Sequence, residues 1–371
     1  MSSFVKLGDL THIRTGKLDA NASSENGQYP FFTCSKEPLR IASYSYDCEC
    51  VLVAGNGDLN VKYYDGKFDA YQRTYIIESA DKRKLLVKYL YFFLDIYVEV
   101  LRTQSIGGVI KYIKLGNLKD THIPLPSIER QAEIIECLEK CNTLIDKRQR
   151  QIALIEQTVK SRFIELFGDP VSNSMGLPTE PMTTICAIID GDRGKNYPKQ
   201  DEFSDTGYCL FLNAKNVTAT GFSFENRMFI TKEKDDALHN GKLERGDVVL
   251  TTRGTLGNLA FYDDSVPFEN VRINSGMVIL RMKKSVMTEV FFMEQFKLQL
   301  QSIKGKIASG SAQPQLPIST MSKIRILLAP MALQEQFAAF VEQTDKSKLA
   351  VQKGLQELEI LKKSLMQQYF G

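Results

Sequence analysis

The sequence predicts an α/β fold of the α+β kind, in which two copies of a globular domain are separated by a pair of long antiparallel coiled-coil helices. The first observation behind this prediction is that residues 131–168 align with residues 334–371 without a gap, and both copies end in Phe-Gly. The second is that segments upstream of both helices also align. A pseudo-two-fold internal repeat of the whole chain explains both observations.

The aligned segments share identities along their length. In the helical repeat the identical pairs are Gln131/Gln334, Glu139/Glu342, Glu156/Glu359, Lys160/Lys363, Ser161/Ser364, Phe167/Phe370 and Gly168/Gly371. Upstream, residues 51–65 match residues 249–263, which pairs Gly55 with Arg253, and Gly16-Lys17 matches Gly194-Lys195. The second copy carries extra residues around 217–245, where a surface loop would tolerate them.

The composition is that of a protein with room for two cores. The chain has 371 residues, of which 43% are hydrophobic and 25% charged. No apolar run is long enough for a membrane span and no signal peptide is visible, so we expect a cytoplasmic protein without a membrane partner. Seven scattered cysteines suit reduced thiols. The net charge of +3 does not by itself suggest nucleic acid.

Each globular copy shows strand and helix patterns in the same order. In the first, we expect a strand at 51–54, a hairpin of 61–64 and 67–70 around Asp65-Gly66, a strand at 74–77 and a helix near 85–104. Asp-Gly is a frequent type I′ turn, which is why the hairpin is placed there. In the second, we expect strands near 248–252, 259–262 and 276–281 and a helix near 288–303.

The long helices carry apolar residues at alternating steps of four and three, which indicates a coiled-coil seam. The seam residues are Ile134, Leu138, Cys141, Ile145, Ile152, Ile155, Val159 and Leu166 in the first helix and Phe337, Val341, Val351, Leu355, Leu358, Leu365 and Tyr369 in the second. Arg148, Arg162, Lys348 and Lys362 interrupt the seams, which favours pairing of these helices with each other. Gly168 and Pro170 end the first helix.

If a two-fold axis relates the copies, the helices are antiparallel and the second helix returns to the first domain. A helix of this length spans about 57 Å at 1.5 Å per residue. That length is comparable to about 17 base pairs of DNA. The repeat therefore predicts two globular heads with a helical spacer between them.

The sequence lacks the motifs that an enzyme of this size usually shows. It has no Walker A loop, no G-x-G-x-x-G after a strand, no G-x-S-x-G, no H-E-x-x-H and no Asn-Pro-Pro-aromatic loop. Its histidines, His12, His122 and His239, have no neighbours that would complete a zinc site. The pairs Cys48/Cys50 and Cys137/Cys141 are weak candidates for metal binding. We therefore expect no catalytic residue and no metal site.

Several segments together carry a family resemblance. The run Ile123-Pro124-Leu125-Pro126-Ser127-Ile128-Glu129-Arg130-Gln131, leading into a heptad helix that ends at Phe167-Gly168-Asp169, resembles the conserved regions of type I restriction-modification specificity subunits. The run Ile326-Leu327-Leu328-Ala329-Pro330 through Gln334 to Phe370-Gly371 resembles the same pattern with its first proline lost. Segments 27–32, 207–212, 246–250 and 274–278 fit as well, so the resemblance covers essentially the whole chain.

The resemblance implies a non-catalytic subunit that gives DNA-sequence specificity to an enzyme complex. Target recognition domains at 1–125 and 170–329 would each bind half of a bipartite site on double-stranded DNA. Conserved helical spacers at 126–169 and 330–371 would set the gap and dock adenine-N6 methyltransferase subunits, two by symmetry. The chain would need no cofactor, because S-adenosylmethionine, Mg and ATP would be bound by partner subunits. Whether restriction (nuclease/translocase) subunits join stays open.

Loop residues with side chains that suit base edges or phosphates are the candidates for DNA contact. In the first domain they are Arg14, Lys17, Lys36, Asn56, Asn60, Lys62 and Lys111. In the second they are Arg193, Lys195, Asn196, Lys199, Asn213, Lys215, Arg253, Asn258, Lys304, Lys306 and Gln313. Lys17 and Lys195 stand out because the Gly-Lys pair recurs, and Arg253 because it follows a strand.

Two other kinds of protein remain open from the residues alone. A protein-binding coiled-coil adaptor that does not contact DNA would suit the near-neutral charge. An enzyme with a strongly diverged site is the third reading, and the absence of any cluster of acids, bases or nucleophiles disfavours it. A gel-shift assay with and without a methyltransferase partner separates the first two.

Overall fold

The computed structural model describes residues 3–283, 286–308 and 315–371, and the chain divides into two compact units. Unit 1 comprises Met1–Gln151 together with Val351–Gly371, and unit 2 comprises Ile152–Ala350. Each unit therefore contains one globular domain and part of each of two long helices. Within the described ranges, no helix is both long and apolar enough to cross a membrane.

Unit 1 is built on a six-stranded sheet and a separate two-stranded sheet. The strands of the unit are β1 (Ser3–Lys6), β2 (Thr11–Thr15), β3 (Tyr29–Phe32), β4 (Leu39–Ile41), β5 (Tyr46–Ala54), β6 (Val61–Ala70), β7 (Thr74–Ser79) and β8 (His122–Leu125). Its helices are α1 (Leu7–Leu10), α2 (Val87–Gln104), α3 (Leu115–Lys119) and the first part of α4 (Ile128–Phe167), with a 3-10 turn at Ala20–Ala22. The sheet order is β2-β7-β5-β6-β3-β4, and β1 pairs with β8. The strand β5 thus lies inside the sheet.

Unit 2 repeats the central part of this sheet. Its strands are β9 (Thr179–Pro181), β10 (Cys186–Asp190), β11 (Cys209–Leu212), β12 (Val217–Thr218), β13 (Gly221–Phe222), β14 (Phe229–Ile230), β15 (Asp247–Thr251), β16 (Leu259–Tyr262), β17 (Val271–Ile273), β18 (Met277–Met282) and β19 (Arg325–Leu327). Its helices are α5 (Met182–Ile185), α6 (Lys232–Ala237), α7 (Glu289–Ala308), α8 (Ile318–Met321) and the first part of α9 (Met331–Phe370). Short 3-10 turns lie at Gln200–Glu202 and Ala214–Asn216.

The sheets of unit 2 run in the orders β10-β18-β15-β16, β14-β11-β17, β12-β13 and β19-β9. The order β10-β18-β15-β16 corresponds to β2-β7-β5-β6 of unit 1, so the predicted internal repeat is confirmed at the level of sheet topology. The strands predicted at 51–54, 74–77, 248–252, 259–262 and 276–281 are confirmed, as are the helices near 85–104 and 288–303.

The hairpin predicted around Asp65-Gly66 is wrong. Residues 61–70 form the single strand β6, which pairs with β5 in unbroken register from Val53↔Val61 to Tyr46↔Phe68. Gly66 has a φ of +132° inside this strand. The glycine therefore allows an unusual backbone angle within the strand and does not mark a chain reversal. The reversal lies at 55–60, where Gly57 has a φ of +68°.

The long helices pair antiparallel in each unit, as predicted. In unit 1, the Tyr369 hydroxyl donates to Cys137 Sγ at 3.8 Å, while an ideal Cβ on Gly354 would lie 3.8 Å from Arg148 Nε. In unit 2, Lys348 pairs with Glu156 at 2.6 Å. In these three contacts, residues with higher numbers in α4 lie beside residues with lower numbers in α9. The two helices therefore run in opposite directions.

The seam residues are buried to different extents. Ile134, Leu138, Cys141, Val159, Phe337 and Val341 are buried, whereas Ile145, Ile152, Ile155, Leu166, Val351, Leu355, Leu358, Leu365 and Tyr369 are half-buried. Gly168 ends α4 with a φ of +76°, and its N–H donates to the Ile164 carbonyl at 2.8 Å. The predicted C-cap is therefore confirmed.

The last phenylalanine of each long helix is part of a hydrophobic core. In unit 1, Phe370 at the end of α9 lies 5.1 Å from the Tyr89 ring of α2. In unit 2, Phe167 at the end of α4 lies 4.7 Å from the Phe291 ring of α7. Both phenylalanines are buried, and burial of one aromatic side chain contributes about 2–3 kcal/mol. In each repeat, the phenylalanine thus packs the end of the long helix into a core, and the glycine follows the last helical residue.

A buried glutamine near the start of each long helix binds the chain that precedes α2 or α7. Gln131 accepts from the Leu86 N–H at 2.9 Å and donates to the carbonyls of Lys84 and Pro126. Gln334 accepts from the Thr288 N–H at 2.9 Å and donates to two carbonyls in the same way. These side chains satisfy backbone groups that have no helical partner, which explains the identity at these positions.

We expect Gln131→Met to destabilise unit 1. The substitution keeps the side-chain volume but leaves a buried N–H and two carbonyls without their partner, so the free energy of unfolding should fall by about 2 kcal/mol or more. Chemical denaturation of the whole chain measures the change. Gln149→Met, at an exposed position of the same helix, is the control and should shift it by less than about 0.5 kcal/mol. Equal effects would contradict the role given to Gln131.

Candidate nucleic-acid interface

In unit 1, several loops meet at the end of the sheet where β5 ends. The loop 55–60 is held by backbone hydrogen bonds from two sides. The Gly55 N–H donates to the Arg73 carbonyl at 2.8 Å, and the Gly55 carbonyl accepts from the Ile113 N–H at 2.9 Å. The Gly57 N–H donates to the Lys111 carbonyl at 2.9 Å. The turn before β7 and the segment before α3 therefore fix this loop.

Two more loops join the same end of unit 1. The Gln72 N–H donates to the Leu18 carbonyl at 2.9 Å, which brings the loop after β2 to the turn before β7. The Asn60 side chain donates to the Cys34 carbonyl at 2.8 Å, which adds the loop after β3. Between these loops lies a cavity of about 310 Å³, lined by Thr15, Gly55, Gln72, Arg73, Tyr75 and Ile113. Most of the candidates in the first domain lie on these loops.

Unit 2 repeats these backbone contacts after β15. The Thr252 N–H donates to the Gly276 carbonyl at 2.8 Å, and the Thr252 carbonyl accepts from the Leu316 N–H at 3.1 Å. A β-bridge joins Arg253 to Gln315, just as one joins Asn56 to Tyr112 in unit 1. The loop 252–258 thus corresponds to the loop 55–60.

The strand registers correct one pairing that the sequence alignment predicts. Val53 lies opposite Tyr75 and Leu250 opposite Val278, while Tyr75 and Val278 are also the partners of Thr15 and Asp190. These pairs make Thr252 the counterpart of Gly55. Arg253 therefore corresponds to Asn56, not to Gly55, because the alignment is displaced by one residue here.

The residue after this position is a glycine in both units. Gly57 has a φ of +68° and Gly254 a φ of +71°, a left-handed conformation that side chains with a Cβ adopt only at a cost. The match of these two angles supports the pairing of Asn56 with Arg253. It also shows that the two loops turn in the same way directly after the strand.

The pairing of Gly16-Lys17 with Gly194-Lys195 is also corrected. Gly16 follows the pair Thr15↔Tyr75 and Gly191 follows Asp190↔Val278. Both glycines lie where a Cβ would come within about 2.2 Å of a backbone carbonyl oxygen. Gly191 is thus the counterpart of Gly16, and Lys17 corresponds to Asp192. The buried Asp192 carboxylate accepts from the Gly194 N–H at 2.7 Å, so the Gly-Lys match is a coincidence of sequence.

Four of the candidate asparagines are bonded to the backbone of their own unit. The Asn60 and Asn258 side chains hold equivalent places and donate to the Cys34 and Val217 carbonyls. Asn196 donates to the Ala237 carbonyl at 3.0 Å. Asn213 accepts from the Lys215 N–H at 2.9 Å as a helix cap. These amides hold loops in place through hydrogen bonds to the backbone, so those polar atoms are already occupied.

Two candidate arginines lie against acidic side chains. Arg14 on β2 pairs with Glu78 at 2.7 Å, and its guanidinium lies 4.8 Å from the centre of the Tyr46 ring. Arg193 pairs with Asp190 at 3.1 Å and donates to the Ser275 carbonyl at 3.2 Å. Both guanidinium groups are therefore held in place by their own unit.

The candidate lysines differ in environment. Lys36 is exposed and 3.9 Å from Asp58, whereas Lys62 is half-buried, donates to Asn60, and has its pKa lowered by that burial. The stem of Lys304 fills the space beside Gly257. The other exposed lysines among the candidates are Lys17, Lys111, Lys195, Lys199 and Lys215. An exposed lysine is a flexible point charge, which suits phosphate better than a base edge.

Two candidates cannot be placed in this way. Gln313 lies outside the described residues. Lys306 belongs to α7 (Glu289–Ala308), and its side chain lies outside the description. In the described parts of the chain, no group of three or more His, Cys, Asp and Glu side chains could hold a metal ion.

Sequence reasoning missed Gln72 and Arg73. Both side chains are exposed, and Arg73 lies in the turn whose backbone holds Gly55. Their counterparts in unit 2 are Ser275 and Gly276, because Thr74 corresponds to Met277. Their place beside the loop 55–60 is a tertiary contact, which no local sequence pattern indicates.

Comparison with known proteins gives a consistent result over both units. The family model described as "Type I restriction modification DNA specificity domain" matches residues 2–157 and 183–360. The chain is 40% identical over 158 residues to the type I restriction enzyme EcoDI specificity subunit of Escherichia coli, a match that covers 42% of this chain and 34% of that relative. The alignment with the MjaVIII specificity subunit of Methanocaldococcus jannaschii shows 23% identity and covers 98% and 90% of the two chains.

A solved structure shows a likeness of fold. The S subunit of a type I restriction-modification system from M. genitalium superposes with a TM-score of 0.62 at 18% identity, over 100% of this chain and 96% of that one. At this identity the likeness concerns the fold alone.

We expect Gly57→Ala to cost about 1 kcal/mol of unfolding free energy, because alanine resists the left-handed backbone. The site has space for the methyl group, since nothing lies within 4 Å of an ideal Cβ at Gly57. Gly108→Ala is the matched control: its Cβ also meets nothing within 4 Å, and its φ is not positive. Thermal or chemical denaturation compares the two. A cost as large for Gly108→Ala would contradict the backbone argument.

Proposed function

This chain belongs to the type I restriction-modification DNA specificity family, and we propose that each of its two globular domains binds one half of a bipartite site on double-stranded DNA. The domains would extend over 1–125 and 170–329, with helical spacers at 126–169 and 330–371. The chain itself would catalyse nothing and would direct partner subunits to the DNA.

One observation carries this proposal. Both units build the same braced loop at the end of the same central strand, yet they place different side chains on it, Asn56 in one and Arg253 in the other. A common scaffold with different polar side chains is what recognition of two different half-sites requires. Exposed lysines on the surrounding loops, such as Lys17, Lys111 and Lys215, would contact the phosphates.

The long helices offer an attachment surface for the partner subunits. Large apolar side chains are exposed on them: Leu144 and Leu361 in unit 1 are 47% and 48% exposed, and Leu154 and Leu349 in unit 2 are 61% and 67% exposed. In the antiparallel register, the members of each pair lie at the same level of the helix pair. We infer that each leucine pair is covered by a protein partner, because contact with a partner would remove its apolar surface from water.

We assign these surfaces to two methyltransferase subunits, one for each unit. S-adenosylmethionine, which supplies the methyl group for adenine-N6, would be bound by these partners, and Mg and ATP by partner subunits as well. The helices would also set the number of base pairs between the half-sites. Restriction subunits would be further partners.

The test of the function is a domain exchange. A chimera that carries another family member's domain in place of residues 1–122 should change one half of the methylated sequence and leave the other half and the gap unchanged. Methylation mapping in cells that express the chimera with its methyltransferase measures the outcome. A wild-type complex that methylates no bipartite sequence would refute the function, and a change of both half-sites would refute the separate roles of the domains.

We expect glutamate substitutions on the helices to remove methyltransferase subunits one at a time. Leu154→Glu with Leu349→Glu should release one copy, Leu144→Glu with Leu361→Glu the other, and all four both copies, because each adds charge to an apolar contact. Native mass spectrometry counts the copies. Gln28→Glu, exposed on a loop of unit 1, is the control and should leave two. Two retained copies in the fourfold variant would refute this docking surface.

A further inference from the structure

Asn56 and Arg253 occupy one structurally equivalent position that is unusually well fixed. The residue before each is hydrogen-bonded on both sides, to the turn before β7 or β18 and to the segment that contains Ile113 or Leu316. Asn56 and Arg253 themselves form a β-bridge to that segment. A strand from the interior of the sheet leads into the position and a left-handed glycine leads out of it. The Cα is therefore held from three directions, as precise recognition requires.

Among the residues that the structure describes, no polar group binds the side chains at this position. Within residues 3–283, 286–308 and 315–371, neither the Asn56 amide nor the Arg253 guanidinium has a hydrogen-bond or ion-pair partner. This distinguishes them from Asn60 and Asn258, whose amides donate to backbone carbonyls, and from Arg193, which pairs with Asp190. A fixed backbone with an unengaged polar side chain suits an external ligand.

The neighbouring position differs between the units in a complementary way. In unit 2 an ideal Cβ on Gly276 would lie 3.9 Å from the Arg253 Cβ, so the two positions are direct neighbours. In unit 1 the counterpart of Gly276 is Arg73. Unit 1 therefore combines a short amide with an adjacent arginine, whereas unit 2 combines an arginine with an empty adjacent position. The arginine at these two positions comes from the turn before β7 in unit 1 and from the end of β15 in unit 2. The Arg193 guanidinium also lies nearby in unit 2, where Asp190 and the Ser275 carbonyl bind it.

We propose that Asn56 and Arg253 are the equivalent base-reading residues of the two domains, Asn56 contacting an adenine in one half-site and Arg253 a guanine in the other. This inference rests on the proposed function. An asparagine amide offers the donor and acceptor that match adenine N7 and N6, and a guanidinium offers the two donors that match guanine N7 and O6. Lysines lack this paired geometry.

The experiment uses the complex of the full chain with its methyltransferase. The complex is incubated with a random library of DNA duplexes, and the bound duplexes are recovered and sequenced. The variants are Arg253→Asn, Arg253→Lys and Asn56→Asp, with Lys215→Ala as the control for a phosphate contact. Lys215 is exposed and lies next to Ala214, whose Cβ is 4.0 Å from an ideal Cβ on Gly254. Dissociation constants on the selected duplex and on single-base variants of it, measured at several salt concentrations, complete the set.

We expect Arg253→Asn to abolish the preference for guanine at one position of one half-site and to weaken binding of the selected duplex about 10- to 100-fold. Arg253→Lys should weaken the same preference, because an ammonium lacks the planar fork of the guanidinium, while the salt dependence stays near that of the wild type. Asn56→Asp should alter one position in the other half-site only. Lys215→Ala should weaken all duplexes alike and lower the slope of log K against log salt by about 0.9.

The opposite results are equally clear. If the selected sequence is unchanged in Arg253→Asn and Asn56→Asp, whether binding is retained or uniformly weakened with a lower salt slope, these residues do not read bases. In that case the wild-type complex still selects a bipartite sequence and the proposed function stands. If the wild-type complex selects no sequence at all, the proposed function fails and the inference fails with it. Circular dichroism and melting of each variant show that its fold is retained.

Discussion

The last phenylalanine of each long helix packs into a domain core, and this contact joins the helix end to the globular domain of its unit. Phe370 completes the core of unit 1 and Phe167 that of unit 2. In unit 1 this means that the end of the second repeat closes the domain of the first. In unit 2, Phe167 belongs to the helix that directly precedes the second domain, and the core also includes Phe337 and Val341 from the start of α9.

This arrangement has a consequence for recognition. The buried glutamines Gln131 and Gln334 bind the starts of the long helices to the chain before α2 and α7. The helices α2 and α7 share hydrophobic cores with the strands β5 and β15, which lead to Asn56 and Arg253. The chain that would select DNA and the chain that would bind the methyltransferase therefore belong to one packed unit in each half of the protein. A loop with a fixed backbone loses little conformational entropy when it binds.

Much of the fold could be predicted from the sequence, because heptad spacing, C-cap glycine and duplication are strong signals. The Asp65-Gly66 hairpin was wrong because a glycine can serve a positive φ inside a strand as well as in a turn. The pairing of Arg253 with Gly55 was displaced by one residue because the loops 55–60 and 252–258 differ in length, and only strand register resolves such a shift.

The candidate site was harder to predict. The sequence contains many polar loop residues. Nothing in it distinguishes an asparagine whose amide binds the backbone, such as Asn60, from one whose amide has no hydrogen-bond partner in the described part of the chain, such as Asn56. Arg73 was missed because its importance comes from its place beside the loop after β5, which is a tertiary contact. Recognition residues depend on which side chains the fold leaves unengaged, and local patterns do not contain that information.

We propose that the long helices, which extend through both units, set the gap between the half-sites, and a matched insertion in both helices is the sharpest test. One heptad inserted after Asp146 and another after Gln356 keeps the seam in phase and lengthens the paired helices by about 10 Å. Methylation mapping should then show the same half-sites separated by about three more base pairs, with weaker methylation because DNA's helical phase also changes. An unchanged gap in a folded, active variant would show that the helices do not set it.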